Sequence, residues 1–321
     1  IQDIRRKSMG IPKMWRVLSV IILLIFCLGY SQIETYRFLL GWGSYGGRDG
    51  CFRRPHGIAV SRSNFIYVTD TNNHRIQKFS SDGKFIAKIG SQGFDSGKFY
   101  WPSGIAVDSS DNIYVADTRN HRIQKFDSEG RFITKWGTYG LEDGQFNWPQ
   151  GIAVDSSGNV YVADTYNRRI QKFDSEGRFI TKWGTYGLED GQFNWPQGIA
   201  VDSSGNIYVA DTRNHRIQKF SSNGEFIRVW GSRGWEQGQF DWPYGIAIDS
   251  SDNIYVADTW NHRIQKFTSN GRFITAWGSK GVENGQFDWP YGVAVDSANN
   301  VYVVEWGNNR VQKFGSFKLL K

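Results

Sequence analysis

The sequence predicts an all-β protein, a six-bladed β-propeller of four-stranded blades, and three observations support this fold class. The run Gly-Ile-Ala-Val, or a close variant of it, recurs every 47 residues. Each unit holds four short runs of β-branched and aromatic residues separated by turn residues. No stretch after residue 31 has a sustained helical period. Four strands in 40 to 50 residues are typical of a propeller blade. The six units start at Gly57, Gly104, Gly151, Gly198, Gly245 and Gly292.

Residues 1–31 differ in kind from the repeats. Five basic residues precede or flank the start of an apolar run at 17–28, and small residues follow it. This layout is typical of a secretory signal peptide. The alternative is a short membrane anchor over residues 17–30, although 12 to 14 apolar residues fall short of the roughly 20 that a spanning helix needs. We therefore expect residues 1–31 to direct export to the periplasm, the cell surface or the medium, and residues 32–321 to form the propeller.

Each unit reads as four strands in a fixed order. In the third unit these are "GIAVD", "VYVADT", "RIQKF" and "RFITKWG". The turn "SSGN", a short loop and the tight turn "DSEG" join them, since Ser, Asn, Asp and Gly favour turns. A longer loop of the form Gly-x-x-x-Gly-x-Phe leads to the next unit.

The last unit lacks its fourth strand, and the start of the repeat region supplies the missing piece. After "RVQKF" at 310–314 no counterpart of "RFITKWG" follows. The run "RFLLGWG" starts at Arg37, 20 residues before Gly57, just as Arg131 stands 20 residues before Gly151. An open sheet edge exposes unpaired backbone groups. We therefore expect this N-terminal outer strand to complete the last blade and close the ring.

The repeat "WPxGIAVDSSGNIYVADTxNHRIQKF" resembles the NHL repeat, whose Asn-His-Leu run appears here as Asn-His-Arg. The resemblance covers residue 37 to about residue 317. It implies a six-bladed propeller and a role as an interaction platform for protein or RNA. A related propeller group includes the lyase that cleaves peptidyl-α-hydroxyglycine, so the resemblance also leaves an enzymatic alternative.

Several residue types recur once in each blade, which favours structural roles. Tryptophans that end the outer strands or precede the prolines are expected to pack between blades. Aspartates at the ends of first strands are expected to accept hydrogen bonds from turn amides two residues on. Aspartates that begin the second loop have a histidine nearby, and we expect this pair to stabilise the loop rather than to catalyse a reaction. These second aspartates are Asp70, Asp117, Asp164, Asp211 and Asp258.

Two positions that vary between the units are predicted to lie on one face, the face of the long loops. The first, between Pro and Gly, should ring the mouth of the central channel and holds His56, Ser103, Gln150, Gln197, Tyr244 and Tyr291. The second, before Asn in the second loop, holds Asn72, Arg119, Tyr166, Arg213, Trp260 and Gly307. Polar, aromatic and arginine side chains together favour a binding surface. The predicted ligand-binding residues are His56, Gln150, Gln197, Tyr244, Tyr291, Arg119, Tyr166, Arg213 and Trp260, and the alternative is that exposed loop positions simply drift.

Composition narrows the function classes. The net charge of the chain is +7, but residues 1–31 hold five basic residues and one acidic residue, which leaves 33 against 30, or +3, for the remainder. Only Cys51 lies in the remainder, so an internal disulfide is excluded there. The segments 122–168 and 169–215 differ at three positions. Such uniform repeats weigh against an active site, because catalysis needs side chains of different types, such as a nucleophile and a base, to converge on one site.

The sequence therefore favours an exported, non-enzymatic, monomeric propeller that binds a protein, peptide or glycan without a cofactor or metal. Membrane contact is expected only if the N-terminal segment is uncleaved. RNA binding is the first alternative, and the modest charge of +3 disfavours it. A secreted metal-dependent lyase or lactonase is the second alternative, although the predicted channel mouth offers one histidine, His56, where a catalytic zinc takes three protein ligands.

Overall fold

The computed structural model describes residues 32–320 and is an all-β six-bladed propeller. Residues 35–317 form one compact unit, and residues 32–34 and 318–320 belong to a second unit. Twenty-four strands make six four-stranded antiparallel sheets, each a blade. Blade one contains β2 (Ile58–Val60), β3 (Ile66–Asp70), β4 (Arg75–Phe79) and β5 (Phe85–Ile89); blade two contains β6 (Pro102–Val107), β7 (Ile113–Asp117), β8 (Arg122–Phe126) and β9 (Phe132–Trp136); blade three contains β10 (Pro149–Val154), β11 (Val160–Asp164), β12 (Arg169–Phe173) and β13 (Phe179–Trp183).

The remaining blades repeat this order. Blade four contains β14 (Pro196–Val201), β15 (Ile207–Asp211), β16 (Arg216–Phe220) and β17 (Phe226–Trp230); blade five contains β18 (Pro243–Ile248), β19 (Ile254–Asp258), β20 (Arg263–Phe267) and β21 (Phe273–Trp277); blade six contains β22 (Pro290–Val295), β23 (Val301–Glu305), β24 (Arg310–Leu320) and β1 (Gln32–Trp42). Short 3₁₀ turns follow the second strand in four blades, at Thr71–Asn73, Thr118–Asn120, Thr212–Asn214 and Thr259–Asn261.

The N-terminal strand closes the ring, as the sequence predicts. Blade six has the strand order β1, β24, β23, β22, so β1 is its outer strand. Both β1 and β24 are 11 residues long, whereas the outer strands of the other blades have five. The sequence predicts a strand only from Arg37 and none after Phe314. The strands run further because no tight turn joins them, and such a turn limits their counterparts elsewhere.

The core lies between neighbouring blades. Every residue of β11 is buried, because sheets cover both faces of this strand. One cluster joins Tyr161 and Ile170 of blade three to Ile199 and Val209 of blade four, and a similar cluster lies at each other blade interface. Stability therefore depends on each blade having a neighbour on both sides.

The glycine that starts each repeat lets the blades meet around the channel. A Cβ atom on Gly151 would overlap the carbonyl oxygen of Gln197 in the next blade. The equivalent glycines of the other five blades face the backbone of the following blade in the same way. The glycine recurs because the backbones approach too closely there for a side chain.

The outer-strand tryptophans pack between blades, which confirms the prediction for this set. The ring centroid of Trp136 lies 5.9 Å from that of Phe173 in the next blade. Its indole also covers the turn at Gly177, where φ is +83° and a Cβ atom would lie 2.5 Å from the ring. Blade six has no such turn, and Tyr36 of β1 takes the position of this glycine. The Tyr36 ring stacks on Trp277 at 4.0 Å with an interplanar angle of 16°.

The aspartates that end the first strands form the predicted turns. Asp155 Oδ1 accepts hydrogen bonds from the backbone N–H groups of Ser157 at 2.9 Å and Asn159 at 2.8 Å. The Tyr161 hydroxyl donates to Asp155 Oδ2 at 3.1 Å. These bonds tie the turn opposite the long-loop face to the core of its blade.

The predicted signal peptide or anchor at residues 1–31 lies outside the described residues. Within residues 32–320, no helix has the length and apolar character needed to cross a bilayer.

Candidate binding face

In each blade, one buried acidic residue accepts hydrogen bonds that fix the loops of the long-loop face. In blade three, Asp164 accepts from the backbone N–H of Asn147 at 2.7 Å, from Arg169 Nε at 2.8 Å and from Gln171 Nε2 at 3.1 Å. The pKa of Asp164 is raised above its usual value, because the effect of burial exceeds the lowering by hydrogen bonds from Asn147, Asn167 and Arg169. Arg169 also donates to three carbonyl oxygens of the long loop. The same position is held by Asp70, Asp117, Asp211, Asp258 and Glu305.

The histidines of the second loop contact the next blade. His121, at the end of a 3₁₀ turn with φ of 51°, accepts from the backbone N–H of Trp148 through Nδ1 at 3.2 Å. Burial lowers the pKa of this histidine, which keeps it a neutral acceptor. The equivalent bonds are made by His74, His215 and His262. The prediction that these histidines pair with the aspartates of their own loops is therefore wrong, because Arg and Gln side chains occupy those carboxylates.

Five predicted residues line the central channel, namely His56, Gln150, Gln197, Tyr244 and Tyr291. The cavity at the channel is small, about 70 Å³. The Tyr244 and Tyr291 rings lie 4.3 Å apart, and His56 packs against Tyr291 at 4.8 Å. Burial lowers the pKa of His56 to about 4 and raises those of both tyrosines. All three side chains are therefore neutral at pH 7.

A belt of aromatic and arginine side chains surrounds this mouth. Arg119 lies over the Trp101 ring at 4.4 Å and the Trp148 ring at 5.7 Å. Tyr166 lies between Trp148 at 5.4 Å and Trp195 at 5.3 Å. We call this set the loop-face belt, and its members are Arg54, Trp101, Arg119, Trp148, Tyr166, Trp195, Arg213, Trp242, Trp260, Trp289 and Trp306.

The belt continues through blades four to six with the same kinds of contact. Arg213 lies 3.5 Å from the Trp195 ring centroid, and Trp260 stacks on Trp242 at 5.4 Å. Trp289 and Trp306 lie 5.0 Å apart. Trp260 is 53% exposed and Trp289 is 36% exposed. Among the tryptophans that precede the prolines, Trp101 contacts Trp148 and Trp195 contacts Trp242 in the next blade, both at 6.1 Å, as predicted.

The belt opens at blade one, where a depression of about 210 Å³ lies beside the channel mouth. Trp101 and Trp148 line one side of this depression, and Arg54, Tyr291 and Trp306 line the other. Arg54 stands where the other five blades have tryptophan, and Asn72 stands where Arg119, Tyr166, Arg213 and Trp260 stand in their blades. These smaller or more flexible replacements leave the space.

Arg54 and Trp306 are absent from the sequence-based site residues. Trp306 replaces a threonine that in the other blades is followed by the variable position. In blade two that threonine, Thr118, is buried and donates to the Pro149 carbonyl at 2.7 Å. A single departure from an otherwise constant position was the signal available in both cases.

Within residues 32–320, no group of three or more His, Cys, Asp or Glu side chains is arranged to hold a metal ion. Among these described residues, His56 is the one histidine that lines the channel, at the place in the repeat where the sequence predicts it.

The fold and its loop face define a repeat propeller with an exposed aromatic and basic surface. The NHL repeat pattern matches residues 52–79, 99–126, 146–173, 193–220, 240–267 and 287–314, more than half of the chain. The chain therefore belongs to the NHL repeat family, as its repeat sequence indicates.

Two curated relatives share one stretch of sequence with the chain. Protein brain tumor of Drosophila melanogaster is 44% identical over 57 residues, and the B-box type zinc finger protein ncl-1 of Caenorhabditis elegans is 42% identical over 57 residues. These stretches cover 17% of this chain in both cases, but only 6% and 7% of those proteins.

Solved propellers share the fold at low identity. Virginiamycin B lyase from Staphylococcus aureus is 14% identical with a TM-score of 0.59, covering 88% of this chain and 99% of that one. A gluconolactonase from Xanthomonas campestris is 13% identical with a TM-score of 0.61, covering 88% of both chains. At this level of identity the likeness establishes the fold alone.

Proposed function

We propose that the protein is an exported, non-enzymatic binding module that holds a protein, peptide or glycan on its loop face. The observation that carries this proposal is the loop-face belt, in which rigid aromatic side chains and arginines surround the channel mouth. Tryptophan, tyrosine and arginine supply most of the binding energy at protein interfaces. Towards the opposite face, lysines also lie over tyrosine rings, as Lys125 does over Tyr114 at 5.2 Å, but these side chains are buried.

The arginines of the belt are available to a ligand. Arg54, Arg119 and Arg213 lie over indole rings and make no salt bridge with a carboxylate of residues 32–320. On the opposite face, Arg131 and Arg178 pair with Asp127 and Asp174 at 2.6 Å and 2.5 Å. Stacking holds the guanidinium groups in place, so a ligand gains their charge at a reduced cost in side-chain entropy.

RNA binding is a second candidate because Arg54, Arg119 and Arg213 lie over aromatic rings of the belt. Bases stack on such platforms, and cationic side chains contact the phosphates. Arg168 adds a further charge on this face, over the Tyr186 ring at 4.8 Å. Phosphate contacts weaken steeply as salt is added, whereas a neutral glycan or peptide does not respond in this way. A lyase or lactonase activity rests on the shared fold alone.

The experiment is a binding screen of residues 32–321 against extracellular peptides, glycans and single-stranded RNA at two salt concentrations. We expect a ligand whose affinity falls at least tenfold in Trp260→Ala and Arg213→Ala. Arg178→Ala is the matched control, because this arginine is exposed on the opposite face. A ligand that binds equally well to all three variants would overturn the proposal. An affinity for RNA that falls with added salt as steeply as several phosphate contacts require would favour the RNA alternative over a protein, peptide or glycan ligand.

Export is part of the proposal and rests on the sequence of residues 1–31. We expect full-length protein expressed in its native cell type to be recovered outside the cytoplasm with a new N-terminus near residue 32. Recovery from the cytoplasm with residues 1–31 intact would contradict export by a signal peptide.

A further inference from the structure

The depression at blade one is the place where the repeat symmetry of the loop face breaks. In blades two to four a bulky side chain at the second variable position, namely Arg119, Tyr166 or Arg213, lies against the tryptophan that starts the next blade. Asn72 has no such bulk, and Arg54 replaces the tryptophan of its own blade. The space of about 210 Å³ is smaller than the 300 to 1,000 Å³ of pockets for drug-sized ligands. It fits one amino-acid residue or one sugar ring rather than a whole ligand.

The wall on the side of blade six is a stack of planar groups that ends in a cation. The Tyr244 and Tyr291 rings lie 4.3 Å apart, and Tyr291 stacks on Trp306 at 6.1 Å with an interplanar angle of 19°. The Arg54 guanidinium lies 4.3 Å from the Trp306 ring centroid. Its backbone is fixed, since the Arg54 N–H donates to Asn309 Oδ1 at 2.8 Å. The charge of Arg54 therefore sits at a defined point on the rim.

The polar groups of the depression divide into satisfied and free ones. The buried hydroxyls of Ser103 and Thr118 hydrogen-bond to each other, and Thr71 donates to the Pro102 carbonyl at 2.7 Å. By contrast, the side-chain amides of Asn72 and Gln150 have no hydrogen-bond partner among residues 32–320, and both line the depression. Arg54 likewise has no carboxylate partner there. A ligand meets one unpaired cation, two free amides and two aromatic walls.

We propose that this depression binds a carboxylate attached to a small group with an apolar face. The carboxylate pairs with Arg54, and the apolar face lies between Trp101 and Trp306. A free peptide C-terminus and an acidic sugar share this chemistry. The inference rests on the proposed function, since it names the ligand chemistry of one part of the same face. Aromatic walls also bind cationic ligands, but Arg54 on one side and Arg119 beside Trp101 and Trp148 on the other oppose a positive charge.

The test uses pairs of probes that differ only in the carboxylate. Benzoylglycine is compared with benzoylglycinamide, and glucuronic acid with glucose, by calorimetric titration of residues 32–321. We expect one acid of these pairs to bind at least tenfold more tightly than its neutral partner, because hydrogen bonds to charged groups are worth more than neutral ones. The pair that discriminates identifies the source, a peptide terminus or an acidic sugar.

Two variants assign the effect to the depression. Arg54→Gln should abolish the preference for the acid, and Asn72→Tyr, which restores the bulk found at Tyr166, should block both probes of a pair. Arg178→Gln is the charge control on the opposite face, and melting temperatures report whether each variant folds. Equal binding of acid and neutral probes, no binding of any probe, or an acid preference that survives Arg54→Gln would overturn the inference. The proposed function would still stand in those cases if the screened ligand lost affinity in Trp260→Ala, and would fail separately if it did not.

Discussion

The closure of the ring depends on Tyr36, which takes the position that glycine occupies at the other blade interfaces. Gly83, Gly130, Gly177, Gly224 and Gly271 lie against the residue that ends the preceding outer strand. At the last interface Tyr36 stacks on Trp277 at 4.0 Å, and its hydroxyl lies 2.9 Å from that of Tyr255 and 3.2 Å from Lys266 Nζ. A tyrosine ring here replaces the contacts of a missing turn.

The magnitude follows from burial and hydrogen bonding. Tyr36 is 7% exposed, and truncation of a buried aromatic ring to alanine costs about 4 kcal/mol. Tyr36→Phe keeps the stack on Trp277 and removes only the hydroxyl, at a cost of about 1 to 2 kcal/mol. We therefore expect Tyr36→Ala to lower the free energy of unfolding by about 2 to 3 kcal/mol more than Tyr36→Phe does.

The assay is urea unfolding of residues 32–321 followed by tryptophan fluorescence and far-UV circular dichroism together. Tyr45→Ala is the matched control, because Tyr45 is 71% exposed and its loss should change the free energy of unfolding by no more than about 0.5 kcal/mol. The reasoning would be refuted if Tyr36→Ala were no less stable than Tyr36→Phe, since the aromatic stack would then contribute nothing to closure.

Three further predictions follow from the same architecture. Deletion of residues 32–43 should leave blade six with an open edge and give an aggregating or partly unfolded product by size-exclusion chromatography; a monomer with an unchanged melting temperature would contradict closure by β1. Gly151→Ala should cost about 3 kcal/mol or more because the new methyl group meets the backbone of the next blade, whereas Gly144→Ala, at φ of +78° in open space, should cost only about 1 kcal/mol in denaturant unfolding. The pKa of His56 is lowered from 6.5 to about 4, so between these pH values the unfolded chain binds a proton at His56 and the folded chain does not. The free energy of unfolding should therefore fall by up to about 3 kcal/mol for this group as pH falls from about 6.5 to 4. His56→Gln should show a correspondingly shallower fall in the free energy of unfolding over that window, and an identical pH profile would show that His56 is not desolvated.

The sequence predicts the fold because every blade repeats the same physical requirements. A glycine at the channel, a buried second strand and an aspartate turn recur at a spacing of 47 residues, and each has a local cause that the residues reveal. Strand bounds were less predictable. The first strand of blade three begins at Pro149, two residues before the predicted Gly151, because proline can occupy the first position of a strand without donating a hydrogen bond.

Partners within the repeat were harder to predict, because several donors and acceptors recur at the same spacing. The acidic residue that begins the second loop and the histidine position of that loop are four residues apart in every unit. The aspartate, such as Asp164, nevertheless accepts from Arg169 and Gln171 of its own blade, while histidines such as His121 accept from the next blade. A repeat sequence cannot reveal whether a contact lies within a blade or between blades, since both options repeat with the same period. Only the path of the chain around the ring decides between them.

A functional site in a repeat protein is expected where the repeat fails, because identical blades can make only identical contacts. Comparison of the units at their variable positions identified Arg119, Arg213 and Trp260, which the structure places together in the belt. It missed Trp306, because that residue replaces a threonine that is constant in the other five blades. A residue that is the same in five blades has a structural role in those blades. A different residue at that position in the sixth blade can therefore serve another role, such as ligand binding. Two such departures, Arg54 and Trp306, line one side of the depression at blade one, and this coincidence is why its ligand should be sought there first.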